Sequence, residues 1–235
     1  MSLERENLNL ISNVGHSIGV NAEMVAYTYK VLCRHMSGES VLELGPAEGV
    51  MTELLVNSGR KVTIVEGAES FCKSIGKRFP TVKIHNCLFE EFQPAGTFDN
   101  IVLGHVLEHV IDPVDIVKRA RTWLTPNKGK IFAAVPNCRS LHRQAAVIMG
   151  MLTQEDALNE ADFKHGHRRV FSPESFRNVF YQAGVNLELF GGYWLKPLSN
   201  KQIEEGWNSK MLEAFMQLGE RYPDIAAEIY VVAGI

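Results

Sequence analysis

The segment GHVLEHVIDP, residues 104–113, contains two histidines and a glutamate spaced as H-x-x-E-H. In some zinc hydrolases this spacing supplies two metal ligands and a general base, provided that both histidines lie on one face of a helix. Here His105 directly follows NIVLG, a run typical of a strand, and the next helix is predicted to begin near Asp112. The segment is therefore predicted to be a turn at the carboxyl end of a strand, and a zinc peptidase is the less favoured alternative.

A second chemical feature is the segment LELGPAEG, in which Glu43, Gly45 and Gly49 follow the first strand-like run. Glycines allow a sharp turn and a close approach of the backbone to a ligand, and the helix that follows presents unpaired N–H groups. The next strand-like run ends at Glu66, where a carboxylate can accept hydrogen bonds from both ribose hydroxyls of an adenosine. Together these residues predict a nucleotide- or amino-acid-binding cradle.

A third feature is a basic cluster in the segment DFKHGHRRVF, within a chain whose net charge is −3. Its candidate ligand-binding side chains are His165, His167, Arg168 and Arg169. Arginine pairs with carboxylates and phosphates in a bidentate manner, so the cluster could bind an anionic group. It could equally be a solvated loop that balances the acidic residues just upstream.

The elements that must position these residues alternate between short runs rich in Val and Ile and helical stretches. This alternation is typical of βαβ units on a parallel sheet, whose strands are buried on both faces. The predicted strands are residues 40–45, 61–67, 82–86, 98–104 and 129–136, followed by 185–195 and 228–234. Because ligands of such sheets bind at the carboxyl ends of the strands, the glycine turn and the H-x-x-E-H turn are expected to face one site.

The two ends of the chain are organised differently. Residues 1–37 are predicted to form a helical cap with a helix at 21–36, and residues 38–235 to form the main domain. An insertion at about 137–170 breaks the alternation, and a segment of that length in a compact domain is expected to be functional, here by covering a ligand. A last helix is predicted from Ser172, with Pro173 at its first position.

Composition excludes several classes of protein. The net charge of −3 and a pI near 6.3 argue against sequence-independent binding of nucleic acid. No apolar run approaches the roughly 20 residues that span a bilayer, and the first ten residues lack the pattern of a secretory signal. The four cysteines form no C-x-x-C pair, which argues against a thiolate zinc site. We expect a cytoplasmic protein without nucleic-acid or membrane partners.

Residues 38–136 resemble the class I S-adenosylmethionine-dependent methyltransferases strand by strand. VLELGPAEG is similar to the first cofactor motif of that family, VTIVEGAE to the second and HNCLFEEF to the loop beside adenine. The sequence from FDNIVLGHVLEH to FAAVPN is similar to the fourth and fifth strands with their connecting helix. Ala47 departs from the pattern, because glycine is common at that position in the family. The resemblance implies a Rossmann-like α/β fold with a mostly parallel seven-stranded sheet.

The same resemblance implies roles for individual residues. The backbone of 45–49 would hold the methionine part of S-adenosyl-L-methionine, and His105 would lie beside the cofactor or take part in catalysis. In several small-molecule and sugar methyltransferases a histidine matching His109 contacts the acceptor, which makes it the leading candidate for general base. The remaining residues implied to bind the cofactor are Glu43, Gly45, Gly49, Glu66, Gly67, Leu88 and Phe89.

The function expected from these features is methyl transfer to an oxygen or nitrogen of a small polar acceptor, sugar-like or anionic. The alternatives are a regulatory protein that binds the cofactor without catalysis and a nucleotide-sugar or NAD-dependent enzyme, although Pro46 and Glu48 interrupt the G-x-G-x-x-G form of dehydrogenases. No resident metal is expected, but a divalent ion at His105 or His109 is left open. A homodimer is also left open.

Overall fold

Seven strands form one sheet in the computed structural model, which describes Leu8 and residues 14–235. The strands are β1 (Ser40–Leu44), β2 (Lys61–Val65), β3 (Lys83–His85), β4 (Asn100–Gly104), β5 (Lys130–Pro136), β6 (Asn186–Tyr193) and β7 (Glu228–Gly234). Their order is β3-β2-β1-β4-β5-β7-β6, and β7 runs antiparallel to both of its neighbours. The predicted α/β fold with a mostly parallel seven-stranded sheet is confirmed. Residues 1–7 and 9–13 of the predicted cap lie outside the described residues.

Helices cover both faces of this sheet. They are α1 (Val20–Leu32), α2 (Val50–Asn57), α3 (Glu69–Arg78), α4 (Pro113–Thr122), α5 (Leu141–Ile148), α6 (Glu160–His165), α7 (Pro173–Ala183), α8 (Asn200–Gly206) and α9 (Ser209–Arg221). Asp112 caps α4 by accepting hydrogen bonds from two backbone N–H groups, and Ser172 caps α7 by accepting one from the N–H of Ser175. No helix of the described residues combines the length and apolar character needed to cross a bilayer.

The core consists of two apolar layers, one on each face of the sheet. Leu42 and Leu103 of the central strands pack with Phe176 of α7 on one face, whereas Val41 and Phe132 belong to the layer on the other face. Successive residues of a strand point to opposite faces, so a strand covered on both sides must be apolar throughout. This burial requirement explains why the Val- and Ile-rich runs identified the strands.

The prediction that the helix at 172–184 is the last one was wrong, because α8 and α9 follow β6. Their start signals are present in the sequence: Ser199 accepts a hydrogen bond from the N–H of Gln202, and Asn208 accepts one from the N–H of Met211. Only tertiary contacts make α9 part of the core. The N–H of Trp194, just after β6, donates to a carbonyl of α9 over 3.0 Å.

Gly219→Ala is expected to destabilise the fold. A methyl group at Gly219 of α9 would lie closer than 3.0 Å to backbone atoms of Tyr193 and Trp194, which cannot move aside as a side chain could. Overpacking of this kind costs about 1–3 kcal/mol of unfolding free energy. Urea denaturation of both proteins would measure it. Gly206→Ala is the matched control, since nothing lies within 4 Å of a methyl group there; equal midpoints for the two variants would contradict the prediction.

Candidate active site

A cavity of about 1260 Å³ lies at the carboxyl edge of the sheet. Its walls include the segments that follow β1, β2, β4 and β5, together with parts of α1 and of the insertion at 137–170. Ligands of open α/β sheets bind at this edge, because the loops after adjacent parallel strands converge there. The glycine turn and the H-x-x-E-H turn, which are distant in sequence, share this cavity.

The glycine turn between β1 and α2 depends on left-handed backbone conformations. Gly45 and Gly49 have φ angles of 64° and 80°, and Ala47 between them has a φ of 47°. Glycine adopts this region without strain, whereas an alanine there costs about 1 kcal/mol. A methyl group at Gly45 would lie 3.1 Å from the side chain of Val106, so the backbone is exposed to the cavity only because the side chain is absent. The turn has the shape of a cradle for a ligand.

Two buried carboxylates support this cradle. Glu43 in β1 accepts a hydrogen bond of 2.7 Å from the hydroxyl of Thr52, and burial raises its pKa to about 8. Glu66, just after β2, accepts a bond of 2.7 Å from the N–H of Ala68. Burial raises the pKa of Glu66 to about 7, although backbone N–H groups, among them that of Ala47, lower it. Glu66 therefore links the glycine turn to the end of β2.

Apolar side chains form the wall beside the cradle. Leu88 lies 3.6 Å from the position that a methyl group on Gly67 would take, and Phe89 lies 3.5 Å from the corresponding position on Gly45. Both side chains line the cavity. A bare backbone turn, a carboxylate after β2 and an apolar wall are the groups that an adenosyl cofactor with a charged amino-acid tail requires, so these residues fit S-adenosylmethionine.

The segment that contains H-x-x-E-H is a turn in the structure, as predicted. His105 has a φ of 58°, and its N–H donates to the carbonyl of Ala134 in β5 over 2.9 Å. The N–H of His109 donates to the carbonyl of Val106 over 3.0 Å. Because the two histidines do not lie on one face of a regular helix, the arrangement of a zinc peptidase is absent from this segment.

His105 is held by polar groups on both ring nitrogens. Its Nε2 lies 3.3 Å from the hydroxyls of Thr28 and Tyr193, and its Nδ1 lies 3.7 Å from carboxylate oxygens of Glu108 and Glu228. Burial lowers the pKa of His105, but the two carboxylates outweigh this and raise it overall. These contacts orient the ring at the end of β4.

His109 lies four residues further along the chain and also lines the cavity. Its Nδ1 lies 3.3 Å from the carbonyl of Gly166 in the insertion. Since a carbonyl can only accept, Nδ1 carries the proton and Nε2 is left with a lone pair. Burial lowers the pKa of His109 to about 4, so its ring is neutral at physiological pH.

Three side chains of the turn and insertion could together hold a metal ion. Glu108, His109 and His167 bring one ligand atom each within 4.8 Å of one another. The Nδ1 of His167 lies 3.0 Å from a carboxylate oxygen of Asp162, a partner that orients metal-binding histidines in many proteins. Both carboxylate oxygens of Glu108 are buried, and within the described residues neither has a hydrogen-bond partner. This donor set is of the kind that a divalent cation takes.

The structure places the basic cluster in two different roles. His165 and His167 line the cavity, as a ligand-binding role requires. The guanidinium of Arg169 instead donates to the carbonyls of Leu107, Val110 and Ile111, at distances between 2.7 and 3.2 Å. The expectation that Arg169 binds the acceptor is therefore corrected: it holds the turn at 105–111.

Arg168 takes part in the same support. Its Nε donates to the carbonyl of His109 over 2.8 Å, and its N–H donates to the carbonyl of Glu108 over 2.9 Å. The side chain also lines the cavity. Two consecutive arginines near the end of the insertion therefore hold the H-x-x-E-H turn against it.

Sequence reasoning missed several polar residues of the cavity. Asn137 follows β5, Lys196 follows β6 and Glu228 begins β7, while His142 and Arg143 lie on α5. The first three could have been found by the rule that identified the two turns, because each stands at the same edge of the sheet. The last two had no local signal, since they reach the cavity only through the path of the insertion.

Comparison with known proteins agrees with this geometry. A family model described as a methyltransferase domain matches residues 21–189. Ubiquinone biosynthesis O-methyltransferase from Chromobacterium violaceum is 26% identical over 178 residues, which cover 71% of this chain and 73% of the relative. The family match includes both turns and the insertion.

Solved structures share the fold. An S-adenosylmethionine-dependent methyltransferase from Mesorhizobium loti superposes with a TM-score of 0.64 at 13% identity, covering 94% of this chain and 99% of its own. The glycopeptide N-methyltransferase MtfA in complex with S-adenosylmethionine superposes with a TM-score of 0.58 at 14% identity. The superposition covers 90% of this chain and 86% of MtfA.

The family match covers most of the chain and indicates a methyltransferase. The cradle, the carboxylate of Glu66 and the apolar wall of the cavity fit the cofactor of such an enzyme. The protein belongs to the class I S-adenosylmethionine-dependent methyltransferases, and S-adenosylmethionine is its cofactor.

Proposed function

We propose that this methyltransferase acts on a hydroxyl oxygen of a small polar acceptor bound against the turn at residues 105–109. The observation that carries the proposal is the His109 ring, which lines the cavity with Nδ1 held by the Gly166 carbonyl. The naming of the Chromobacterium relative as an O-methyltransferase supports oxygen over nitrogen.

The residues proposed to bind the cofactor are those that build the cradle. The backbone of 45–49, oriented by Glu43, would hold the amino-acid end, and Glu66 with Gly67 would hold the ribose. Leu88 and Phe89 would contact the adenine. When bound, S-adenosylmethionine supplies a methyl group on a positively charged sulfur, which makes that carbon electrophilic.

The residues of the turn would prepare the acceptor. A hydroxyl must lose its proton as its oxygen attacks, and His109 offers the Nε2 lone pair of a neutral imidazole for that proton. His105 would help to orient the acceptor or the cofactor, since its own ring is fixed by Thr28 and Tyr193. Alignment of the reacting atoms contributes the rest of the rate enhancement.

The insertion at 137–170 would cover the acceptor. Its helices α5 and α6 contribute His142, Arg143, Asp162 and His165 to the wall of the cavity. Removal of water from the site strengthens the polar contacts made there. A cover of this kind gives the enzyme an acceptor pocket without a second domain.

The proposed function is tested by incubating the protein with a metabolite extract that supplies candidate acceptors. Purified protein incubated with isotopically labelled S-adenosylmethionine is expected to yield a labelled small molecule that shows a methoxy carbon in its NMR spectrum. A labelled N-methyl product would contradict the assignment to oxygen. Binding of the cofactor without transfer to any extract would favour the alternative of a non-catalytic, regulatory protein.

A further inference from the structure

Lys196 lies in the cavity but has no part in the chemistry described above. It follows β6, whose carboxyl end lies at the same edge of the sheet as the turn at 105–109. Its ammonium lies 4.7 Å from the ring centroid of Trp194. Trp194 is buried to 99% and has a φ of 67°, so the ring beneath the ammonium is fixed in place.

The charged groups around Lys196 have contacts of their own. Arg143 donates to a carboxylate oxygen of Asp162 over 3.2 Å and to the carbonyl of Glu155 over 2.7 Å. Glu228 lies 3.7 Å from the Nδ1 of His105. Within the part of the chain that the structure describes, the Lys196 ammonium has neither a hydrogen bond nor an ion pair, and it lies over the Trp194 ring.

An ammonium in this position is poorly solvated. Burial lowers the pKa of Lys196 to about 8, even though Glu228 raises it. Burial lowers the pKa of the nearby His142 to about 3, so its ring is neutral and supplies no negative charge to pair with the ammonium. A half-buried cation without a hydrogen-bond partner is unfavourable, and a ligand that brings a negative charge would relieve this.

We propose that Lys196 binds an anionic group of the methyl acceptor, a carboxylate or a phosphate, and so selects acceptors that carry one. This inference rests on the proposed function, because it assigns a substrate class to the same cavity. The sequence suggested that the basic cluster binds an anion, but Arg169 of that cluster donates to carbonyls of the turn at 105–111. The inference assigns the anion-binding role to Lys196 instead. Lysine acts as a point charge, so either anion suits it.

The charge of the labelled product tests the inference without any variant. After incubation of the protein with labelled S-adenosylmethionine and a metabolite extract, the labelled product is expected to bind an anion-exchange resin at pH 8. Loss of retention after treatment with alkaline phosphatase identifies a phosphate monoester, and unchanged retention indicates a carboxylate or a phosphodiester. A neutral or cationic product overturns the inference while leaving the methyl transfer intact.

Substitutions of Lys196 test whether this residue is responsible for the preference for anionic acceptors. Lys196→Met is expected to raise the KM for the purified acceptor by about 10- to 100-fold, the usual effect of losing a charged hydrogen bond, while the Kd of S-adenosylmethionine stays unchanged. Lys196→Arg should recover part of the loss. Lys201→Met is the matched control, because Lys201 also lines the cavity but is exposed and lies 3.9 Å from Glu205.

An unchanged KM in Lys196→Met overturns the inference. The cofactor Kd of each variant shows whether it has folded, and the charge of the product decides the question if Lys196→Met does not fold. The absence of any labelled product would contradict the proposed function itself, and this inference with it. The failure of the two proposals can therefore be told apart.

Discussion

Glu66→Gln is expected to weaken S-adenosylmethionine binding by about 10- to 100-fold, the loss typical of hydrogen bonds to a charged group. The Glu66 carboxylate lies just after β2, where it can accept bonds from ribose hydroxyls, while its contact with the N–H of Ala68 holds it in place. Glutamine keeps the shape of the side chain but loses the charge and one acceptor. Titration calorimetry with S-adenosylmethionine measures the effect.

The same residue predicts a pH dependence of cofactor affinity. Burial raises the pKa of Glu66 to about 7 in the cofactor-free protein, so the carboxylate is protonated at lower pH. Since a ribose hydroxyl donates to the ionised form, affinity should fall by up to about tenfold per unit as pH decreases below 7. In Glu66→Gln this decrease should be absent. Parallel pH profiles for the two proteins would contradict the assignment.

The stability of the cofactor-free protein should respond to pH in the opposite direction. The folded pKa of Glu66, about 7, lies above the value of about 4.3 in an unfolded chain, so folding favours the protonated form. The contribution of Glu66 is fully present below the unfolded pKa and is lost as pH rises through 7. Glu39→Gln is the control for both experiments, because Glu39 is an exposed glutamate paired with Lys61.

His109→Ala is expected to lower turnover by about 10²- to 10⁴-fold while changing the Kd of S-adenosylmethionine little. The alanine variant removes the Nε2 lone pair that is proposed to accept the acceptor's proton, but it leaves the cradle after β1 intact. Steady-state kinetics with the acceptor, together with calorimetry for the cofactor, separates the two quantities. Equal losses in turnover and cofactor binding would contradict the catalytic role.

Two comparisons make the His109 experiment specific. His35→Ala serves as the control, because His35 lies outside the cavity. Treatment with a chelator tests whether His109 acts as a metal ligand beside Glu108 and His167. Activity that survives chelation supports a direct role of the imidazole, whereas activity lost on chelation and restored by zinc or magnesium assigns His109 to a metal site.

Much of the fold could be predicted because strands buried on both faces must be apolar throughout. This requirement identified β1, β2, β4, β5 and β7 to within two residues at either end. Caps at Asp112 and Ser172 marked the starts of α4 and α7 equally well. Helices α8 and α9 were missed, because a mixed polar sequence becomes a helix there chiefly through packing, of α9 against β6 and of α8 against α1.

The sequence by itself determined which turns face the cavity. Once Glu43, Gly45, Gly49 and Glu66 follow parallel strands, the geometry of the sheet brings them to one edge, whatever the rest of the chain does. The turn of His105 and His109 was predictable for the same reason.

Only the tertiary structure decided what the other polar residues do. Arg169 looked like an anion-binding residue but donates to the carbonyls of the 105–111 turn, whereas Lys196 had no motif yet lies in the cavity beside Trp194. Contacts between residues far apart in sequence depend on the path of the insertion and on side-chain packing, which no local pattern encodes. A charge in the sequence indicates that a partner is needed, and the fold determines whether the protein or a ligand provides it.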